Sequence, residues 1–460
     1  MVMRSRRLED LLGGRLDALK YKDITDLVSN ADAAEGEDLD YKQAHYATDD
    51  KGKEELAKDV AAFANHTGGL LILGMAESKG VPSKVMDVDL DDRHFRHIRQ
   101  VIASNTAPPV SYEAIAVPNP DAPGRGFFLL AVPRSPLGPH AVTAPPTKPT
   151  REALRYPRRG GSGTDWLTET AVATAYRARF SAAAARDQRM TDVEEDLVDA
   201  LADRTLPHLI VTLVPEVPGE MAVDSVRFAR YESELRGTEL YLGQGHRLFG
   251  DVAVGARRLI VEEGGGDRAA RAELHRDGSA AIVLPLHRHL SKLHSDEPDW
   301  QFVEPGDVVY QLLCALPFLA SHARDRAAAT GTAQVKATLV DDMASHPCQR
   351  LKIDMYRPEP LPLTIDFLHR TAGHRVPAST QPCGFAYSEA TVLLDDIADH
   401  GVGLLQATAA LADELLHAYG LPDNQLITRE GHLNTGLFTD RNRGAVARWA
   451  AQNPLISSAE

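Results

Sequence analysis

Cysteine is scarce in this chain. Three in 460 residues, Cys314, Cys348 and Cys383, form no Cys-x-x-Cys pair, which argues against a disulfide framework and a cysteine-built zinc site. Long apolar runs are missing too: no stretch reaches the ~20 residues that cross a bilayer. The N-terminal Met1-Val-Met-Arg-Ser-Arg-Arg-Leu8 carries the charges of a signal n-region, but Glu9 and Asp10 follow at once, so no apolar segment forms and a cytoplasmic location is expected. No Gly-x4-Gly-Lys-[Ser/Thr] occurs, which leaves a P-loop nucleotide site without support. Ser279, Ser345 and Ser388 lack a Gly-x-Ser-x-Gly context, so none reads as a nucleophile on an elbow. There is no repeat period and no low-complexity tract.

What is present is an ordinary globular composition, 43% hydrophobic and 25% charged, in a chain long enough for two or three domains. The net charge of −15 is unevenly spread. Residues 1–190 hold 26 Lys+Arg and 26 Asp+Glu, so the remaining 24 of 50 basic and 39 of 65 acidic residues lie in 191–460. The acidic C-terminal part disfavours nonspecific polyanion binding, whereas the N-terminal part is free to engage polyanions locally.

The most constraining stretch is Phe63-Ala-Asn-His-Thr-Gly-Gly-Leu-Leu-Ile-Leu-Gly-Met-Ala-Glu77: a helix end, a tight glycine turn and a buried strand. Before it, Leu39 and Tyr41 alternate with Asp40 and Lys42 in a strand over 34–43, and Leu56, Val60 and Phe63 mark a helix over 53–65. A helix near 91–104, strands near 111–117 and 127–133, a proline-rich loop over 134–150, a strand at 153–157 and a helix 169–186 capped by Thr168 complete a first domain. A charged linker or connecting helix covers 187–203. Strands are expected at 209–214, 246–254, 258–262, 271–276, 279–286, 333–340 and 363–368, and helices at 306–328, 389–418 and 443–451. The fold class is α+β, with domain one at 1–186 (core 20–182) and an acidic α+β domain at 204–460.

Three carboxylates fall at suggestive places. Glu35 and Asp40 bracket the first strand, and Glu77 ends the strand after the glycine turn. Side-by-side strands would let their oxygens share one hard cation, Mg²⁺ or Mn²⁺, able to activate water for phosphodiester cleavage, with Lys42 beside Asp40 facing a phosphate. Segment 148–189 holds nine basic residues, including Arg155, Arg158, Arg159, Arg177 and Arg179, against four acids. Glycines 160, 161 and 163 would admit phosphate oxygens to backbone N–H groups, and Tyr156 and Trp166 could stack an unpaired base. The triplet His287, His289 and His294 has no acidic or cysteine partner placed for zinc. Cys314 lies in an apolar helix and reads as core.

The series Glu35-x4-Asp40-Tyr-Lys42, Ala62-Phe-Ala-Asn65-x-x-Gly68-Gly69-x4-Gly74 and Arg159-Gly-Gly-Ser-Gly-Thr164 resembles the Schlafen AlbA_2 domain over residues 20–182. That family's usual wording is E-x4-E-F-K, A-F-A-N-T-x-G-G and R-x-G-S-x-T. The resemblance implies nucleic-acid binding and, in nuclease members, metal-binding acids at the positions of Glu35, Asp40 and Glu77. Asp40 stands where Glu is usual, Glu77 where Asp is usual, and His66 is interposed before Thr67. Two functions stay open. One is a divalent-metal-dependent endonuclease acting on RNA such as tRNA or on DNA, in stress or phage defence. The other is a non-catalytic DNA-binding regulator using the same basic surface. A protein-interaction scaffold is a third class, and the acidic domain is a candidate for homo-oligomer contacts.

Overall fold

The computed structural model describes residues 5–143, 154–201, 204–245, 249–264, 269–291, 299–349, 360–365 and 383–453. Both helices and strands are abundant, so the protein is α+β. Its contacts divide it into two units, Met1–Ala185 and Arg186–Glu460. Among the described residues no helix is long and apolar enough to cross a membrane.

The first unit is organised by a five-stranded sheet. Strand Gly68–Leu73 sits between Leu39–Lys42, to which it is parallel, and Arg125–Pro133, to which it is antiparallel. The latter strand also pairs with Val88–Asp89 and Glu113–Pro118. Every residue of Gly68–Leu73 is buried because both sheet faces are covered. Leu71 and Leu73 pack with Leu56, Val60 and Phe63 of helix Asp50–Ala64 and with Ile98 and Ile102 of helix Asp92–Asn105. Leu70 and Ile72 face the opposite core, with Leu8, Leu12 and Ile24 of the N-terminal segment and with Leu39 and Tyr41. Helix Asp50–Ala64 starts earlier than its apolar spacing predicts, because the Asp49 carboxylate accepts from Gly52 N at 2.8 Å and caps it.

The expected strand over 34–43 is only Leu39–Lys42. Glu35 precedes it in irregular chain, where Glu35 N donates to Gly80 O at 2.7 Å and Gly36 N to Leu39 O at 3.0 Å. Those bonds close a loop that a continuous strand would open. Met75–Ser78 and Val81–Val85 form a hairpin that the sequence reading did not anticipate. Pro157–Gly160 and Gly163–Trp166 form another, and residue 153 of the expected 153–157 strand lies outside the described residues, as do 144–150 of the proline-rich loop. The helix that Thr168 caps runs through Asp199 and absorbs the described part of the 187–203 segment. Met190, Val193 and Leu197 recur there at helical spacing and are buried among the charges.

The second unit is built on a seven-stranded antiparallel sheet. The order is Asp251–Gly255, Arg258–Glu262, Arg271–His275, Ala280–Pro285, His208–Val217, Thr330–Val340 and Phe385–Leu393. Helices Pro305–Ser321 and Val402–His417 pack in its main core, where Cys314 is buried as expected. The expected helix over 389–418 is corrected at its start. Residues 389–393 belong to the last strand, in which buried Ala386, Ser388 and Val392 alternate with exposed Tyr387, Glu389 and Thr391. Helix Ser225–Gly237, which buries Tyr231 and Leu235, was not anticipated. Residues 246–248 and 366–368 of two expected strands lie outside the described residues.

Candidate functional site

Four of the residues singled out in domain one, Glu35, Asp40, Lys42 and Arg159, meet at strand Leu39–Lys42. Leu39 and Tyr41 point into the core, so Asp40 and Lys42 face the other way, towards helix Asp50–Ala64. That helix presents Asp59, an acid within the apolar spacing Leu56, Val60, Phe63 and itself only 3% exposed. Lys42 Nζ lies 2.8 Å from Asp40 Oδ2 and 3.5 Å from Asp59 Oδ2. Tyr46 donates its hydroxyl to Asp59 Oδ2 at 2.8 Å, and Lys58 reaches Asp59 Oδ1 at 3.2 Å. Burial alone would lower the Lys42 ammonium, yet Asp59 and Asp40 hold it above its ordinary value. Sequence reasoning missed Asp59; the signal was an acid on the apolar face of an amphipathic helix.

Arg159 closes this cluster from the hairpin. Its guanidinium lies 5.0 Å from the Phe63 ring centroid and 3.6 Å from Asp40 Oδ2, and it donates to Gly36 O at 3.1 Å and Leu39 O at 3.4 Å. The expectation that it grips a phosphate is not met in this arrangement, because the side chain is buried and committed to internal acceptors. Asn65 has a related duty. Its amide donates to His140 O at 2.9 Å and Pro157 O at 2.8 Å, and its oxygen accepts from His140 N, so it ties the helix end to two distant loops.

Glu35 and Asp40 come together. Both accept from Tyr41 N, at 3.2 Å and 2.9 Å, which holds their carboxyl groups close together. Burial, followed by the Asp40 contact, pushes the Glu35 carboxyl up to about 7. Asp40 moves the other way: burial would raise it, but the Glu35 hydrogen bond and the charges of Lys42 and Arg159 hold it below the usual carboxylate range. The proton affinities of the two groups are thus pushed apart, and Asp40 and Asp59 lie buried opposite Lys42 and Arg159. Glu77 is exposed at the tip of the neighbouring hairpin, where Oε2 accepts from Gly80 N at 2.6 Å. It adds a charge that raises Glu35 but is turned onto its own loop.

As placed, these groups do not fit a divalent cation. Asp40 Oδ2 is taken up by Lys42 and faced by Arg159, Glu35 accepts from Tyr41 N, and Glu77 caps a turn. Among the described residues no three His, Cys, Asp or Glu side chains are grouped to hold a metal. His294 lies outside the described residues, and the His289 ring stacks on Phe302 with centroids 5.1 Å apart.

The basic surface divides by partner. Arg155 is tied to Glu54 and lies 5.2 Å from the Trp166 centroid, so it braces the hairpin. The Tyr156 hydroxyl lies 3.3 Å from that of Tyr176, which turns Tyr156 into packing between hairpin and helix. Exposed Arg158 has a weak contact, Nε to His66 Nδ1 at 3.3 Å, and His66 in turn stands 3.4 Å from Glu37. Arg177 is exposed and Arg179 half-buried, and neither has an ion-pair partner among the described residues. Trp166 is 45% exposed. Gly161, at φ 60°, sits at the hairpin tip with open space around it.

Comparison with known proteins finds one family model that matches part of this unit. The model of the family "Schlafen, AlbA_2" matches residues 35–164, which runs from Glu35 to the threonine after the Gly-Gly-Ser-Gly turn. No curated protein matches the chain. Among solved structures, the DIP2311 protein from Corynebacterium diphtheriae is similar at 16% identity and a TM-score of 0.22, over 35% of this chain and 29% of that one. The chain thus spans less than a third of that relative's length.

Proposed function

Because residues 35–164 belong to the Schlafen AlbA_2 family, which points to nucleic-acid binding, we propose that the first unit binds single-stranded nucleic acid through Arg158, Arg177, Arg179 and the Trp166 face. The observation that carries this reading is the division of labour among the arginines. Arg155 and Arg159 are spent on Glu54 and Asp40, whereas Arg158, Arg177 and Arg179 have no carboxylate partner among the described residues. Guanidinium groups left in this state suit phosphate oxygens, and an exposed indole suits a base. Titrating fluorescent single-stranded RNA and DNA against the full chain over a range of salt tests it. Affinity must fall steeply with salt, and each Arg→Ala change at 158, 177 or 179 must weaken it. Salt-independent or absent binding rejects the reading.

A second reading, phosphodiester cleavage, rests on the Glu35–Asp40 pair. Two adjoining carboxyl groups whose affinities for the proton are pushed apart form an acid–base arrangement, and Lys42 stands beside them. Incubation with tRNA and single-stranded DNA, with and without Mn²⁺, beside Glu35→Ala, Asp40→Ala and Glu77→Ala separates the two. Cleavage lost in the Glu35 and Asp40 variants supports catalysis. Cleavage persisting in all three rejects this site, and binding without cleavage leaves the binding module.

A further inference from the structure

The second unit holds a cysteine, a histidine and a glutamate in line. Cys348 Sγ lies 2.9 Å from His346 Nδ1, and His346 Nε2 lies 3.4 Å from Glu194 Oε1. The three come from separate parts of the fold. Glu194 projects from the long helix Glu169–Asp199, and His346 and Cys348 from the loop after the turn Met343–Ser345. Strand Thr330–Val340 contributes Lys336, whose Nζ is 2.6 Å from Glu194 Oε2, and Thr338, whose hydroxyl donates to Glu194. The His346 ring is fixed further by Phe385, edge-on at 5.6 Å. Glu194 and His346 are 1% and 4% exposed, whereas Cys348 is half-buried.

We propose that Cys348 is a nucleophilic thiol activated by His346, and that it reacts with hydroperoxides. The physical case is the order of the groups. A carboxylate beyond the imidazole favours a proton on Nε2 and leaves the Nδ1 lone pair facing the thiol, where it also accepts weakly from Cys348 N at 3.4 Å. Moving the thiol proton to Nδ1 creates an imidazolium between Glu194 and the thiolate. The transfer adds an adjacent pair of opposite charges and no net charge, and the attraction of the imidazolium to Glu194 and to the thiolate offsets part of the desolvation it costs. The other cysteines lack this arrangement. Cys314 is buried, with its thiol pushed up to about 12 by burial, and Cys383 donates to Phe385 O at 3.1 Å.

In the reaction, the Cys348 proton passes to His346 Nδ1 and the thiolate sulfur attacks the terminal peroxide oxygen. An S–O bond forms and the O–O bond breaks. The departing alkoxide, or hydroxide when the oxidant is hydrogen peroxide, takes the proton from the imidazolium and leaves as the alcohol or as water. Sulfur is oxidised by two electrons to a sulfenic acid, and the peroxide is reduced.

The test uses the full chain. Iodoacetamide alkylation near neutral pH, resolved by peptide mass spectrometry, compares the three cysteines in the same molecules. Cys348 is expected to react about tenfold faster than Cys383, since an ordinary thiol is only a few per cent ionised there. With hydrogen peroxide and dimedone, the adduct is expected at Cys348 alone. His346→Gln should bring Cys348 down to the rate of Cys383 while circular dichroism stays unchanged. If that variant misfolds, the comparison within the wild-type chain still decides. A Cys348 rate at or below that of Cys383, a dimedone adduct spread over the cysteines, or an unchanged rate in folded His346→Gln overturns the proposal.

Discussion

Arg159 and Asp40 face each other at 3.6 Å with both side chains about 95% buried, one from the hairpin and one from the parallel strand. The guanidinium thus acts inside the first unit, as a countercharge and as a bond between hairpin and sheet. Removing it leaves Lys42 as the cation beside Asp40 and takes a donor from the carbonyls of Gly36 and Leu39. Arg159→Ala is expected to destabilise the first unit by about 2–4 kcal/mol, at the lower end of what breaking a buried pair costs because Lys42 remains. Urea unfolding of the full chain, followed by a probe in the first unit, reads this as an earlier midpoint. An unchanged midpoint would show that Arg159 is dispensable to the fold.

Glu35 makes stability depend on pH in a direction opposite to most carboxylates. Its folded value, about 7, lies above the ordinary value, so the folded state binds more protons between roughly pH 4.5 and 7. Stability from this group is full below that window and is lost as pH rises through it. Asp40, held low in the folded state, acts only below its ordinary value near 4, where stability falls as pH drops. Glu35→Gln imitates the protonated form. The variant is expected to match the wild type near pH 5 and to exceed it at pH 8. Thermal unfolding at both values checks this, and a variant less stable at pH 8 contradicts the upward shift of Glu35.

Much of the first unit was legible from the residues, because local spacing and a glycine turn carry the fold. Leu56, Val60 and Phe63 mark a helix face, and Leu70–Leu73 reads as a strand buried on both sides. The fates of the arginines were not legible. Arg158 and Arg159 are neighbours, but strand alternation turns one outward and buries the other, and that depends on the hairpin register Arg159↔Thr164. The carboxylates failed for a similar reason. Glu35, Asp40 and Glu77 are near one another, yet which partner each takes is set by Lys42, Arg159 and Gly80, through contacts that no spacing predicts. In the second unit, residues 389–393 of the strand Phe385–Leu393 read as the start of a helix, because Val392 and Leu393 run into the apolar helices that follow.

Trp166 separates single-strand from duplex binding. Its indole is 45% exposed and has Arg155 on it, 5.2 Å from the ring centroid, which leaves a platform of base size and positive character. Trp166→Ala should cost about 1–3 kcal/mol in affinity for a single strand, the usual value of a stacked base, and far less for a duplex whose bases are already stacked. The dependence on salt should keep its slope, since no phosphate contact is lost. By contrast, Arg158→Ala should lower the slope by about 0.7 for a single strand. Fluorescence anisotropy at several salt concentrations distinguishes the two. Equal losses on single strand and duplex would remove stacking from the mechanism.

Gly69 links the glycine turn to the site by contact rather than by chemistry. A Cβ placed there would stand 2.2 Å from Phe63 Cδ1 and 2.9 Å from Asp38 O, and Phe63 is the ring that carries the Arg159 guanidinium. Gly69→Ala therefore pushes the phenyl ring away from the strand and disturbs Arg159 above it. The expected cost is about 1–3 kcal/mol, that of overpacking a filled core. Because the clash is with a side chain, Phe63→Leu should relieve part of it, and the double variant should lose less than the sum of the two single changes. Urea midpoints for the four proteins complete the cycle. Strict additivity would mean that the strain falls on the backbone at Asp38 instead, and that the turn and the Asp40 cluster are mechanically independent.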